Sequence, residues 1–292
     1  LNRSQWPAPA TGAAAWLGEA IAIKDPTSVL LRRQAASNLL IVGQQDEAAT
    51  ALLACSIVSL ASQQPPTPAA AAGESGAGQF YVLDGTSADS TIAGSLARVC
   101  AVLPHAVRNV EYRQVEAVMT ELAQELDRRQ QAEADGRDMG GFASIYVVIC
   151  GLQRFRMLRR AEDDFDFSSS GEEKAIKPDK VLSRLLREGP MAGMHVLTWC
   201  DTVGSLNRSM DRQALREFDS RVLFQMSQAD SSSLIDAATA GTIGQNRALF
   251  YSEEQGLIEK FRPWAMPDDA WLERVRRAMK RAVGVGEGAR QG

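Results

Sequence analysis

Two apolar periods take turns along this chain. Short runs at 39–42, 80–83, 144–150 and 194–200 are apolar almost throughout, as expected of strands covered on both faces. Between them, residues 46–62, 90–103, 116–133 and 179–187 carry apolar residues at helical spacing. In the third of these, Val118, Leu122 and Leu126 share one face. Further along, 221–227 reads as a strand, 231–238 as a short helix, 248–251 with 257–261 as a terminal hairpin, and 268–282 as a closing helix. Residues 20–23 and 107–113 read as two more short strands. Strands alternating with helices at this spacing predict an α/β fold, with a mostly parallel sheet flanked by helices and a C-terminal hairpin.

The remaining stretches read as connections. Residues 1–15, with Pro7, Pro9 and several Ala and Gly, are expected to be a linker or arm. Residues 63–78 hold three Pro among Ala, Gly and Ser, and 161–177 are acidic and Ser-rich, so both are expected to be surface loops. This gives one domain over 16–283 and a Gly-rich flexible tail over 284–292. Opening on Leu rather than Met is what a piece of a longer polypeptide would show.

Composition narrows the function classes. With 292 residues and 45% apolar content, the chain has enough for a full core. A net charge of −4 gives no basic footprint for nucleic acid, although it leaves room for a local basic patch. No apolar run approaches the roughly 20 residues that span a bilayer. Cys55, Cys100, Cys150 and Cys200 are far apart and sit in apolar flanks, so they read as small buried residues of a reducing compartment. His105 and His195 have no Cys or His at ligand spacing, and no structural metal is expected.

Candidate chemistry centres on 43–50, where the apolar run 39–42 meets a helix. The phosphate-binding template is G-x-x-x-x-G-K-[ST], in which backbone amides cradle phosphates and the Lys reaches their oxygens. On that template Gly43 and Thr50 match, with Gln44, Gln45, Asp46 and Glu47 as the intervening residues. Ala48 stands where the second Gly belongs, and Ala49 where the Lys belongs. Asp46 and Glu47 repel phosphate, while as acidic residues at a helix N-terminus they offset its dipole. They are expected to take over the place of the missing anion. The strand over 144–150 ends in Cys150-Gly151, where an ATPase carries one carboxylate for Mg²⁺ and another to polarise water.

The C-terminal half carries a more specific pattern. Leu185-Leu-Arg-Glu-Gly-Pro-Met-Ala-Gly-Met-His-Val-Leu-Thr-Trp-Cys-Asp201 is followed by Phe218-Asp-Ser-Arg-Val-Leu-Phe-Gln-Met-Ser227. Then come Asp230-Ser-Ser-Ser-Leu-Ile-Asp236, Gly244-Gln-Asn-Arg-Ala-Leu-Phe-Tyr251 and Phe261-Arg-Pro-Trp264. In this order the chain resembles the motor domain of the FtsK/SpoIIIE family of DNA translocases, in the FtsK–HerA branch of P-loop ATPases. The resemblance covers about residues 39–264 and departs at the nucleotide motifs. Asp201 stands at the family's sensor Gln, Ser232 at its Arg, and Asn246, Arg247 and Ala248 within its last turn.

The resemblance implies a RecA-like core built to sit in a ring or stack of similar domains. With its Walker A and Walker B positions altered, it implies a degenerate, non-hydrolysing module with no catalytic residue. No cofactor is expected, with ATP and Mg²⁺ entering only if the pocket retains binding. The implied partners are other ATPase domains of the same protein or complex, with DNA reached through the oligomer and no membrane contact. The implied place is the cytoplasm. An alternative is a module of a type VII secretion-like ATPase that binds a protein segment in place of nucleotide. Two basic groups, Arg154/Arg156/Arg159/Arg160 and Arg274/Arg276/Arg277/Lys280/Arg281, read either as solvated faces or as contacts to DNA or a neighbour. Trp199 either lines the crevice beyond its strand or packs against a helix.

Overall fold

Runs that are apolar almost throughout fit strands covered on both sheet faces, and these runs occupy the middle of a ten-stranded sheet. The computed structural model describes residues 12–66, 79–160 and 177–288. In the first of these segments the elements are β1 (Gly12–Ala20), β2 (Thr27–Arg32), β3 (Leu39–Val42) and α1 (Asp46–Ser62). Next come β4 (Gln79–Asp84), α2 (Ser95–Ala101), β5 (Ala106–Val110), α3 (Val115–Ala134) and β6 (Ile145–Cys150). The last segment holds α4 (Pro178–Glu188), β7 (Met194–Cys200), α5 (Val203–Ser209), α6 (Arg212–Arg216) and β8 (Ser220–Leu223). It closes with α7 (Gln228–Ile235), β9 (Ala248–Ser252), β10 (Leu257–Pro263) and α8 (Asp269–Gly288).

The strand order is β2-β1-β10-β9-β8-β3-β7-β6-β4-β5. Strands β8, β3, β7, β6, β4 and β5 run parallel, and β9, β10, β1 and β2 add an antiparallel wing. Every residue of β3, β6, β7 and β8 is buried. One face of the sheet packs on α1, α2 and α8 through residues such as Leu53, Leu96 and Val275. The other face packs on α3, α4 and α7 through residues such as Leu122, Leu185 and Leu234.

Helix α1 is buried at every position from Ala49 to Ala61. A helix enclosed on all sides needs no amphipathic stripe, which fits its nearly uniform run of small and apolar residues. The wing supplies the extra wall, because Ala13, Ala15 and Leu17 of β1 join the same cluster. Here the sequence reading needs correction. Residues 12–15, expected in an arm, are strand residues, and of the strand expected over 20–23 only Ala20 is one, as the end of β1, while 21–23 is a bend with Ile21 and Ile23 exposed. Small residues carry little strand signal, yet they let β1 lie close under its neighbours. At Gly18 a Cβ would fall 2.1 Å from the Arg262 carbonyl oxygen.

Other boundaries shift less. α2 is shorter than its pattern, β8 ends at Leu223, and α8 continues past Ala282 to Gly288. Strand β2 and helices α5 and α6 had no counterpart in the sequence reading. Most of the expected loops 63–78 and 161–177 lies outside the described residues. No described helix is long and apolar enough to cross a membrane.

Asn38, wholly buried at the start of β3, ties the lower end of the sheet together. Its Nδ2 donates to the carbonyls of Leu186 (3.0 Å) and Glu217 (2.8 Å), and its Oδ1 accepts from the Val196 amide (2.8 Å). Buried groups left unpaired cost about 1–3 kcal/mol each. Asn38→Ala is therefore expected to lower the unfolding free energy by about 3 kcal/mol, read from urea titration with an unchanged slope. A loss below about 1 kcal/mol would contradict this role.

Candidate functional site

The C-terminal ends of β3, β7 and β8 open into a crevice, the usual ligand position in parallel α/β sheets. Gly43 ends β3 with φ +136°, and a Cβ there would sit 2.6 Å from the Phe224 Cβ, so only glycine fits. The junction is tied on three sides. The Gly43 amide donates to the Cys200 carbonyl (3.1 Å), the Phe224 amide to the Val42 carbonyl (2.9 Å), and the Trp199 Nε1–H to the Gly43 carbonyl (3.0 Å). Trp199 is buried there in the cluster that includes Ala49 and Leu53 of α1, so of its two readings burial holds.

After Gly43 the chain has no room for a wide loop. Gln45 is the N-cap of α1, and Asp46 is already helical. The Ala49 amide donates to the Gln45 carbonyl (2.8 Å), closing the first turn across the span where the template wraps a phosphate. Ala49, at the Lys position, is wholly buried, and Ala48 is half-buried. Asp46 and Glu47 stay exposed in the first turn, and among the described residues no side chain caps the helix N-terminus. Their offset of the dipole is thus electrostatic only; the anion's hydrogen bonds are not taken over.

Thr50 and Cys150 are brought together as their template positions require. Both are wholly buried, with Thr50 Oγ1 3.6 Å from Cys150 Sγ. The Thr50 hydroxyl donates to the Asp46 carbonyl (2.7 Å) and faces inward. Thr86 Oγ1 lies 3.9 Å from the same sulfur, and the Gly85 amide donates to the Cys150 carbonyl (2.8 Å). Burial pushes the Cys150 thiol up to about 12, so it is protonated at neutral pH. Gly151 turns the chain in the left-handed region at φ +79°. Cys55, Cys100 and Cys200 are buried free thiols as well, each pushed up to about 12 by burial.

These residues do not fit Mg²⁺ and a triphosphate. The hydroxyl meant for the metal is hydrogen-bonded inward, a thiol replaces the carboxylate, and two carboxylates stand where positive potential is needed. Among the described residues no group of three His, Cys, Asp or Glu is placed to hold a metal ion.

Asp201 is half-buried at the end of β7, where its amide donates to Gln153 Oε1 at 3.4 Å. It lines a cavity of about 210 Å³ with Gly43, Gln44, Gln225, Ser227 and Asp230. A larger cleft of about 490 Å³ lies beside the α1 N-terminus, with Asp46 and Glu47 on its rim and Arg262, Trp264 and Met266 among its walls. Sequence reasoning placed Asp201 but missed Asp230 and the cleft. The Phe261-Arg-Pro-Trp264 run was the available signal for the cleft, visible only as part of the family pattern. The basic runs are resolved in part. Arg159 donates to the Gln153 carbonyl, and Arg276 and Arg277 pair with Glu273 on an exposed face.

The sheet order, the glycine-ended strand and the helix entering behind it define a RecA-like P-loop NTPase fold. Solved structures agree. The chain superposes on the pCW3 conjugation coupling protein TcpA, solved with ATPγS, at a TM-score of 0.64 and 14% identity, over 95% of this chain and 75% of that one. It matches ATPases 2 and 3 of EssC from Geobacillus thermodenitrificans at 0.63 and 14%, over 99% of this chain and 52% of that one. For ATPases 2 and 3 of Thermomonospora curvata EccC, in complex with a signal sequence peptide, the values are 0.58 and 16%, over 93% and 47%. The fold is that of an FtsK/SpoIIIE-type ATPase domain, and the chain spans about half the length of the EssC and EccC chains. No family model matches the sequence, and no curated protein matches it either.

Because Ala49 and Cys150 are both wholly buried, rewriting the motif is not expected to restore it. The double variant Ala49→Lys/Cys150→Asp is expected to lose about 3 kcal/mol or more of stability, since it places two charges in a closely packed apolar cluster, and to gain no ATPase activity. Thermal unfolding and phosphate release read the two outcomes. A stable, ATP-hydrolysing double variant would contradict the geometry described.

Proposed function

We propose that this domain is a non-hydrolysing FtsK-type module that serves assembly or regulation beside active ATPase domains of a larger DNA-translocase or DNA-handling protein in the cytoplasm. The observation that carries this reading is the first turn of α1. It fills the span of the phosphate loop, carries Asp46 and Glu47 outward, and turns the Thr50 hydroxyl onto its own backbone. Charge neutralisation, metal binding and water activation are then missing together, and these supply most of the barrier reduction in phosphoryl transfer. The other ATPase domains are its expected partners, and DNA is reached through the assembly.

A second reading, a module of a type VII secretion-like ATPase that holds a protein segment in place of nucleotide, is favoured by the carboxylates on both cavities. Asp201 and Asp230 line the smaller one, Asp46 and Glu47 the larger. These suit a cationic peptide and repel phosphates, whether of nucleotide or DNA.

Isothermal titration with Mg-ATP is expected to show no binding tighter than about 1 mM, a standard free energy weaker than about −4 kcal/mol. A phosphate-release assay of the isolated chain is expected to stay at background. Micromolar ATP binding, or turnover by this chain alone, would overturn the non-hydrolysing reading.

A further inference from the structure

The cleft beside the α1 N-terminus combines three features that suit one kind of ligand. Its walls include the half-buried Pro263, Trp264 and Met266, which offer an apolar and aromatic surface. Its rim carries Asp46 and Glu47, both exposed and without an ion-pair partner among the described residues. Arg262 on the facing wall lies 4.0 Å from Glu19, so its charge is already partly balanced. The N-terminus of α1 returns roughly half a positive charge, which leaves the rim negative. With no side-chain cap at Gln45, the first-turn amides keep donors free for backbone carbonyls.

We propose that this cleft holds an extended segment of a partner protein that presents an arginine or lysine beside a bulky apolar side chain. The carboxylates take the cation, the Trp264 and Met266 walls take the apolar side chain, and the α1 amides take the backbone carbonyls of the segment. A volume of about 490 Å³ is ample for two such side chains. An indole wall adds attraction for a guanidinium that passes over it. This rests on the proposed function in one respect, that no nucleotide occupies the same end of α1.

The test is fluorescence anisotropy with the 292-residue chain and fluorescein-labelled Gly-Ser peptides whose central pair is Arg-Leu, Glu-Leu or Arg-Gly. The Arg-Leu peptide is expected to bind about tenfold more tightly than either control. Its affinity is expected to fall with salt, as interactions of exposed charges do. The variant Asp46→Lys/Glu47→Lys changes only exposed positions and is expected to invert the preference toward Glu-Leu. Trp264→Ala is expected to weaken Arg-Leu while leaving the charge preference.

No binding of any peptide at millimolar concentration, or equal Arg-Leu binding by the double variant, would overturn the proposal. Self-association of the chain abolished by the same double variant would also overturn it, by assigning the cleft to a second copy. A parallel titration with a fluorescent ATP analogue and Mg²⁺ separates the two readings. Nucleotide binding there overturns both, whereas absence of peptide and nucleotide binding overturns the peptide proposal and leaves the non-hydrolysing module intact.

Discussion

Helix α1 starts close behind Gly43, and most of what the crevice can do follows from that one constraint. The carbonyl of Gly43 is held by the Trp199 indole and its amide by Cys200, so the end of β3 cannot move outward. Phe224 fills the space beneath it. Three residues later, at Asp46, the chain is helical, and the enclosure of α1 by the sheet, the wing and α2 fixes where that helix lies. A loop wide enough for a phosphate needs backbone that the first turn of α1 has already used.

The same constraint accounts for the chemistry at the neighbouring strand ends. The Thr50 hydroxyl donates to the Asp46 carbonyl of its own helix, and the position across from it is Cys150. A small, protonated thiol then packs better than a carboxylate, whose burial without a partner costs several kcal/mol. Cys150 fills that position, with Thr50 and Thr86 around its sulfur. The departures from the template at the two positions thus belong to one packing arrangement seen from two sides. The acidic residues that remain, Asp46, Glu47, Asp201 and Asp230, lie where solvent or a ligand reaches them.

Much of this was legible in the residues. The runs at β3, β6 and β7 are apolar because both faces are covered, and α1 was bounded by its own spacing at Asp46 and Ser62. The β9–β10 hairpin was likewise visible in the pattern. The wing was not. Strand β1 is mostly Gly and Ala, whose side chains give no period, and its stability comes in large part from contacts with α1 and β10 that lie far away in sequence. The cleft formed with Arg262–Met266 joins segments about two hundred residues apart, so no local pattern reports it.

The most direct measurement is the backbone ¹³Cα chemical shift of residues 43–50 in the free chain and with excess Mg-ATPγS. The account predicts helical shifts from Asp46 onward that do not change when nucleotide is added. Non-helical shifts over 46–49, or their rearrangement on adding nucleotide, would contradict it by revealing a phosphate loop that can form.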